Sequence, residues 1–149
     1  MKDTFVDLFK TDDDLAKNGV EVPVGFNSKG KEVILIVAEA GNPKHEAVQR
    51  RYAKQLESTR RNPERHRAVL CKIVAESVLL DWKGILDEDG NERECTLESR
   101  VEALITYKKL FYAVMEAAAD EGNFKAEEAV EDETPEEVEK DTKGNSKKS

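Results

Sequence analysis

The sequence contains few of the residues that reinforce small extracellular folds. It has two cysteines, four prolines and one tryptophan among 149 residues, and aromatic residues make up 6%. Cys71 and Cys95 show no metal-ligand spacing, so the sequence predicts neither a zinc site nor a disulfide framework. Cys71 falls inside a helical pattern, which favours a buried, reduced thiol.

Long apolar runs are also missing. The longest, Val33 to Ala38, is far too short to span a bilayer. The N-terminus, MKDTFVDLFKTDDDL, is acidic and lacks the apolar core of a signal peptide. We therefore expect no membrane partner and a reducing, cytosolic setting.

Motifs that carry catalysis are absent from the sequence: there is no Gly-rich phosphate loop, nucleophile elbow or His–Glu zinc helix. His45 and His66 fall on different predicted helices and are expected at the surface. Asp87–Gly90 resembles part of a calcium loop, but the first and twelfth positions would be Ile85 and Thr96, which do not fit as ligands. The sequence predicts no catalytic residue, no metal and no cofactor, and therefore a protein that is not an enzyme.

Charge is abundant but unevenly distributed. Charged residues make up 38% of the chain and the net charge is −8, which argues against a general polyanion binder. Residues 44–72 nevertheless hold nine basic and three acidic side chains. Arg50, Arg51 and Arg61 are candidate partner-binding residues in this segment. Nucleic acid is the less favoured partner, because Tyr52 is the one base-stacking aromatic there.

The pattern near the N-terminus predicts a β-hairpin. Gly19–Phe26 places three valines and Phe26 at alternate positions, the period of a half-buried strand. Pro23, on the other parity, restricts this strand to an edge or a bulge. Asn27–Gly30 is a turn, and Lys31–Ala38 is the second strand.

Two Asn-Pro pairs predict helix starts, with Asn as N-cap and Pro at the first helical position. The predicted helices run from Pro43 to about Arg61 and from about Glu64 to Leu80.

A third helical region begins at Cys95–Thr96, where Thr96 or Ser99 is the N-cap. It ends with Gly122 as the C′ residue. The pattern over residues 97–121 fits either one helix or two helices broken near Thr106–Lys109.

The segment Ala75–Gly90 contains the tryptophan next to a glycine and an acidic turn. An apolar helix end runs into this segment, and a buried indole needs a partner for its N–H. We interpret it as a clamp that pins a helix end to the domain body. Its residues are Leu80, Asp81, Trp82, Gly84, Asp89 and Gly90.

Together these patterns predict a mainly α, α+β fold, in which an N-terminal β-hairpin packs on a small bundle of three to four helices. Residues 1–18 form an arm with a short helix, and residues 19–124 form a single helical domain. Residues 125–149 have almost no apolar content and are expected to be a disordered acidic tail.

The hairpin, the Asn-Pro helix start and the run from Ala75-Glu76 through Leu79-Leu80-Asp81-Trp82-Lys83-Gly84 to Asp87-Glu88-Asp89-Gly90 resemble the tail assembly chaperones of long-tailed bacteriophages. The resemblance covers about Gly19–Phe124 and includes Asn123-Phe124 near its end. In that family the later helices often contain a break with a proline, whereas this chain has Tyr107-Lys108-Lys109 at that place.

The resemblance implies a non-enzymatic role in the infected host's cytoplasm. Such chaperones coat the tape measure protein, keep it soluble, recruit tail tube protein and are absent from the mature virion. Some members also exist in a longer form made by ribosomal frameshifting.

A chaperone of this kind needs an apolar surface for client helices and a charged exterior. Leu104, Phe111, Tyr112 and Met115 are candidates for a client-facing or self-associating stripe, or else belong to the core. Two alternatives stay open: a small nucleic-acid-binding regulator that uses residues 44–72, and a minor structural tail protein.

Overall fold

A computed structural model describes residues 11–125 of the chain. The N-terminal amphipathic piece and the acidic tail, Lys125 excepted, lie outside the described residues. Asp13–Phe124 forms one compact unit. Thr11 and Lys125, which belong to a second unit, pair as an isolated antiparallel bridge.

The compact unit is a mixed α+β fold dominated by helix, as the sequence predicts. In chain order its elements are α1 (Asp13–Asn18), β1 (Val20–Phe26), β2 (Glu32–Val37), α2 (Pro43–Arg51), α3 (Ala53–Ser58), α4 (Pro63–Ser77), β3 (Leu79–Lys83), α5 (Leu97–Thr106), α6 (Lys108–Ala119) and a 3₁₀ helix (Glu121–Phe124). Within residues 11–125, no helix is both long and apolar enough to cross a bilayer.

The predicted hairpin is confirmed. β1 and β2 pair antiparallel, and the register shifts between Pro23 and Gly25, so the strand carries both the bulge and the edge position that Pro23 demands. The bulge also changes which side chains face the core. Val24 and Phe26, expected to be half-buried with Val20, are instead 47% and 73% exposed.

A third strand was missed by the sequence reasoning, which extended the second predicted helix to Leu80. α4 ends at Ser77 and Leu79–Lys83 forms β3, which pairs antiparallel with β2. Leu35 lies opposite Trp82 in this register, and both are buried. No local pattern in the sequence indicates β3, because this five-residue strand continues the apolar pattern of α4 and its partner, β2, lies far away in the sequence.

The first predicted helix is divided in two at Tyr52, whose φ of −96° and ψ of 7° depart from helical geometry. Main-chain hydrogen bonds from Tyr52 to Val48 and from Leu56 to Tyr52 still bridge the break. Both Asn-Pro starts are confirmed: Asn42 and Asn62 accept from the main-chain N–H three residues on.

The third helical region consists of two helices. Thr96 caps α5 in a capping box with Ser99, and Tyr107 adopts an extended conformation between α5 and α6. The expected C′ role of Gly122 is wrong. α6 ends at Ala119 with Asp120 as the C-cap, and Gly122 lies in the 3₁₀ helix that follows.

The core lies between one face of the sheet and helices α4 to α6. Its completely buried side chains include Val37 and Leu79 from the sheet, Leu104 from α5 and Val114 from α6. A second, smaller cluster packs α2 and α3 against α4; its members are Val48, Val69 and Ile73, with Tyr52 and Leu56 at its edge.

Candidate partner-binding groove

The indole of Trp82 anchors the loop that leads to α5. It is 4% exposed, and its Nε1–H donates to the main-chain oxygen of Arg93 at 2.9 Å. The Arg93 guanidinium lies 5.9 Å from the indole centroid and donates to Glu102 of α5 at 2.8 Å. The indole therefore joins the end of β3 to the segment just before α5, whereas the sequence predicted that it pins a helix end.

Gly84 begins that loop in a conformation that favours glycine. Its φ is +85°, and its main-chain oxygen accepts from the Asn27 amide at 2.8 Å. The acidic turn follows, in which the Asp87 carboxylate accepts from the N–H groups of Asp89 and Asn91, both at 2.9 Å. Gly90, at φ +84°, completes the turn.

The apolar stripe of α5 extends from the core, against which Val101 is partly buried, out to the protein surface. Leu97, Val101 and Ile105 are spaced four residues apart and therefore lie on one side of the helix over about 12 Å. Leu97 is 45% exposed and Ile105 40% exposed. These three side chains form one wall of a groove of about 710 Å³, which we call the α5 groove.

The opposite wall of the α5 groove comes from Tyr52 and from Lys72 and Glu76 of α4. The Tyr52 hydroxyl donates to Glu76 at 2.9 Å, and Arg51 forms an ion pair with the same carboxylate. The hydrogen bond from Arg51 lowers the pKa of Glu76, which therefore stays charged at neutral pH. The groove has an apolar wall along α5 and a polar, hydrogen-bonded wall facing it.

The four residues proposed from sequence as a partner-binding stripe do not share one surface. Leu104 is completely buried, so the structure favours its interpretation as a core residue. Phe111 and Met115 are partly buried against the core. Tyr112 is 65% exposed and makes an edge-to-face contact with Phe111, with ring centroids 6.0 Å apart.

The candidate basic residues are placed on the surface. Arg50, Arg51 and Arg61 are all exposed, and Arg51 is the one of the three in an ion pair among residues 11–125. Arg67, from the same basic segment, has an internal role. It donates to the main-chain oxygens of Leu104 and Ile105 at 2.7 and 2.8 Å.

The histidine expectation needs one correction. His45 is only 6% exposed and is hydrogen-bonded inside the fold. Its Nδ1 accepts from the main-chain N–H of Gly41 at 2.8 Å, and its main-chain N–H donates to the Asn42 side chain. Burial lowers the pKa of His45. Cys71 is buried, as expected, and burial raises the pKa of its thiol. Among residues 11–125, no three His, Cys, Asp or Glu side chains are grouped as metal ligands would be.

The family model described as YdaY prophage protein matches residues 39–134, well over half of the chain. The chain belongs to this family. It is therefore a phage-derived protein. The YdaY match begins after β2 and spans all of α2 to α6, so it includes both walls of the α5 groove. No curated protein matches the chain significantly. The same holds for solved structures.

Sequence reasoning missed the α5 groove, although part of its signal was visible. Leu97, Val101, Leu104 and Ile105 have the spacing of one apolar stripe on α5, of which Leu104 is completely buried while Leu97 and Ile105 stay exposed. The wall formed by Tyr52 and Glu76 depends on packing between distant helices and has no local signal.

Proposed function

We propose that this phage protein is a non-enzymatic tail assembly chaperone that holds helical segments of the tape measure protein in the α5 groove. The observation that carries the proposal is the open apolar wall of Leu97, Val101 and Ile105 in a heavily charged protein. Exposed apolar surface of this kind, rimmed by polar residues, marks interaction sites in soluble proteins. Helix-in-groove recognition uses anchors at the same spacing.

Membership of a prophage family supports a role in the phage life cycle, and the resemblance around Trp82 supports tail assembly. The proposed role is to keep the tape measure protein soluble and to promote assembly of tail tube protein around it. The proposal places the protein in the host cytoplasm during infection and outside the finished virion.

Self-association is part of this proposal. Exposed basic side chains on α2 to α4 would meet the acidic surfaces of a neighbouring copy along the client. Those without an ion-pair partner among residues 11–125 are Lys44, Arg50, Lys54, Arg61, Arg65 and Lys72. Light scattering over a salt series tests this: particle mass should fall as salt rises, and a monomer at every ionic strength contradicts it.

Co-expression with the tape measure protein of the same prophage tests the main proposal. The chain should shift the tape measure protein into the soluble fraction, and a Leu97→Asp/Ile105→Asp variant should not. The matched control is Val24→Asp/Phe26→Asp, which alters apolar residues on β1 that are more exposed than Leu97 and Ile105, and it should keep activity. The proposal is contradicted if the tape measure protein is equally soluble with the parent chain and both variants, or if none of the three makes it soluble.

The same unpaired basic side chains favour nucleic-acid binding as a second candidate function. It requires salt-dependent binding of DNA or RNA that is lost in an Arg50→Glu/Arg61→Glu variant. An electrophoretic assay at low salt decides: a shift that this variant abolishes supports the second function, and no shift excludes it.

A further inference from the structure

A second cavity of about 540 Å³ adjoins the α5 groove. The two share Glu102 and Thr106, so they form one continuous surface along α5. The second cavity is lined by the acidic turn Asp87–Asp89 and by Tyr107, which is 59% exposed. A ligand that lies along α5 therefore passes from an apolar wall to an acidic one.

The charge along this surface is unbalanced. Arg93 lines the second cavity, but its guanidinium is already engaged with Glu102 at 2.8 Å. The exposed carboxylates nearby have no ion-pair partner among residues 11–125; they are Asp87, Glu88 and Asp89 of the turn and Glu98 of α5. Lys72 is the basic side chain in the groove lining.

The main chain of the acidic turn and the carboxylate of Asp87 are held in place before any partner arrives. Asp87 closes its turn through two side-chain hydrogen bonds, and the main chain adds bonds from Asp87 to Asn91 and from Gly90 to Asp87. Arg93 also donates its main-chain N–H to Ile85 at 2.6 Å. A preorganised acidic edge loses little freedom when it binds a cation.

From this geometry we infer that the partner of the α5 groove is a basic amphipathic helix, whose apolar stripe contacts Leu97, Val101 and Ile105 and whose Lys or Arg flank faces Asp87–Asp89. The inference deepens the proposed function, because it states which helices of the client are held. Charge complementarity of this kind fixes the orientation of a partner and makes its association salt-dependent.

Among residues 11–125, α6 of a second copy does not present such a helix. α6 begins with Lys108 and Lys109 and continues with apolar residues, but its apolar face is already in the core, where Val114 and Ala118 are completely buried. The groove therefore fits a helix from another protein better than it fits α6 of a neighbouring copy.

The test uses two synthetic helical peptides of about 20 residues, long enough to form helix on binding. They share one leucine stripe, but one carries lysines and the other glutamates beside it. Binding to the full chain is measured by fluorescence anisotropy at about 50 mM and about 300 mM salt. The lysine peptide should bind about tenfold more tightly at low salt and lose most of that preference at high salt.

The preference should disappear in a Glu88→Lys/Glu98→Lys variant. A Glu64→Lys/Glu116→Lys variant makes the same change of net charge at exposed positions outside the lining of both cavities, and should keep the preference. Circular dichroism confirms that both variants fold.

Equal binding of the two peptides overturns the inference and leaves the proposed function standing. Binding of neither peptide by a chain that still solubilises the tape measure protein also overturns it. A dimer in sedimentation that either peptide dissociates shows a second copy in the groove, with the same consequence. Failure of the co-expression experiment removes the proposed function itself.

Discussion

Gly84 lies so close to Glu32 that a Cβ at position 84 would be 2.4 Å from the main-chain oxygen of Glu32. This contact joins the end of β3 to the start of β2, and it explains why the residue after the Trp82 strand is glycine. Both a positive φ and a backbone clash exclude larger residues there.

The first prediction concerns this glycine. Gly84→Ala should lower the free energy of unfolding by about 3 kcal/mol or more, since left-handed strain and the clash with Glu32 add together. Gly30→Ala is the matched control, because Gly30 has a φ of +80° but no atom within 4 Å of an added Cβ. It should cost about 1 kcal/mol. Urea unfolding followed by circular dichroism measures both, and equal costs would contradict the role of the clash.

The second prediction compares two N-caps. The Asn42 amide donates to Glu39 at 2.6 Å and to Ser77 at 3.1 Å, in addition to capping α2. Asn42→Ala should therefore cost about 3 kcal/mol, because it removes the cap and also takes the side-chain donor away from the buried main-chain oxygen of Ser77. The exposed Asn62 side chain makes one hydrogen bond among residues 11–125, the one that caps α4. Asn62→Ala should therefore cost about 1 kcal/mol. A chemical unfolding series that finds the two variants equally stable would refute this network.

The third prediction concerns Arg67 of α4. Its guanidinium donates to main-chain oxygens in the last turn of α5 that have no N–H partner within the helix. Its two bonds satisfy the main-chain oxygens of Leu104 and Ile105 in the last turn of α5, and its guanidinium lies 5.7 Å from the Phe111 ring centroid. Arg67→Lys should cost about 1–2 kcal/mol, since lysine lacks the planar fork. Arg65→Lys, at an exposed side chain, should change stability by no more than about 0.5 kcal/mol. Thermal unfolding of the two variants side by side provides the comparison.

The fourth prediction follows from the pKa of His45, which burial lowers below its ordinary value. Below about pH 6.5 the unfolded chain takes up a proton that the folded ring resists, so acidification destabilises the fold until the folded pKa is passed. Between pH 7 and pH 5 the parent chain should lose more stability than a His45→Gln variant. Parallel pH dependences of the two chains would show that His45 does not contribute.

Much of the fold follows from local signals. The hairpin and the two Asn-Pro helix starts are each specified by residues close together in the sequence, and all three were predicted. Thr96 was one of two predicted caps for α5. Pro23 predicted an edge strand or a bulge, but the effect of the bulge on Val24 and Phe26 was not predicted, because one extra residue reverses which side chains face inward.

The features that sequence reasoning missed depend on distant partners. β3 exists because Trp82 and Leu79 pair with a strand more than 40 residues earlier. The break at Tyr107 was one of two alternatives that the sequence left open, and it coincides with the bonds from Arg67 to the end of α5. The α5 groove needs helices α4 and α5 to be placed first, which no local pattern provides.

The measurement that tests the central proposal most directly is site-specific photo-crosslinking during co-expression with the tape measure protein. A photoreactive residue at Leu97 or Ile105 should crosslink to tape measure peptides, while one at Val24 on β1 should not, although all three positions are 40–47% exposed. Mass spectrometry identifies the partner. Crosslinks from Val24 as abundant as those from Leu97, or none from either wall position, would contradict the assignment of the groove to a client helix.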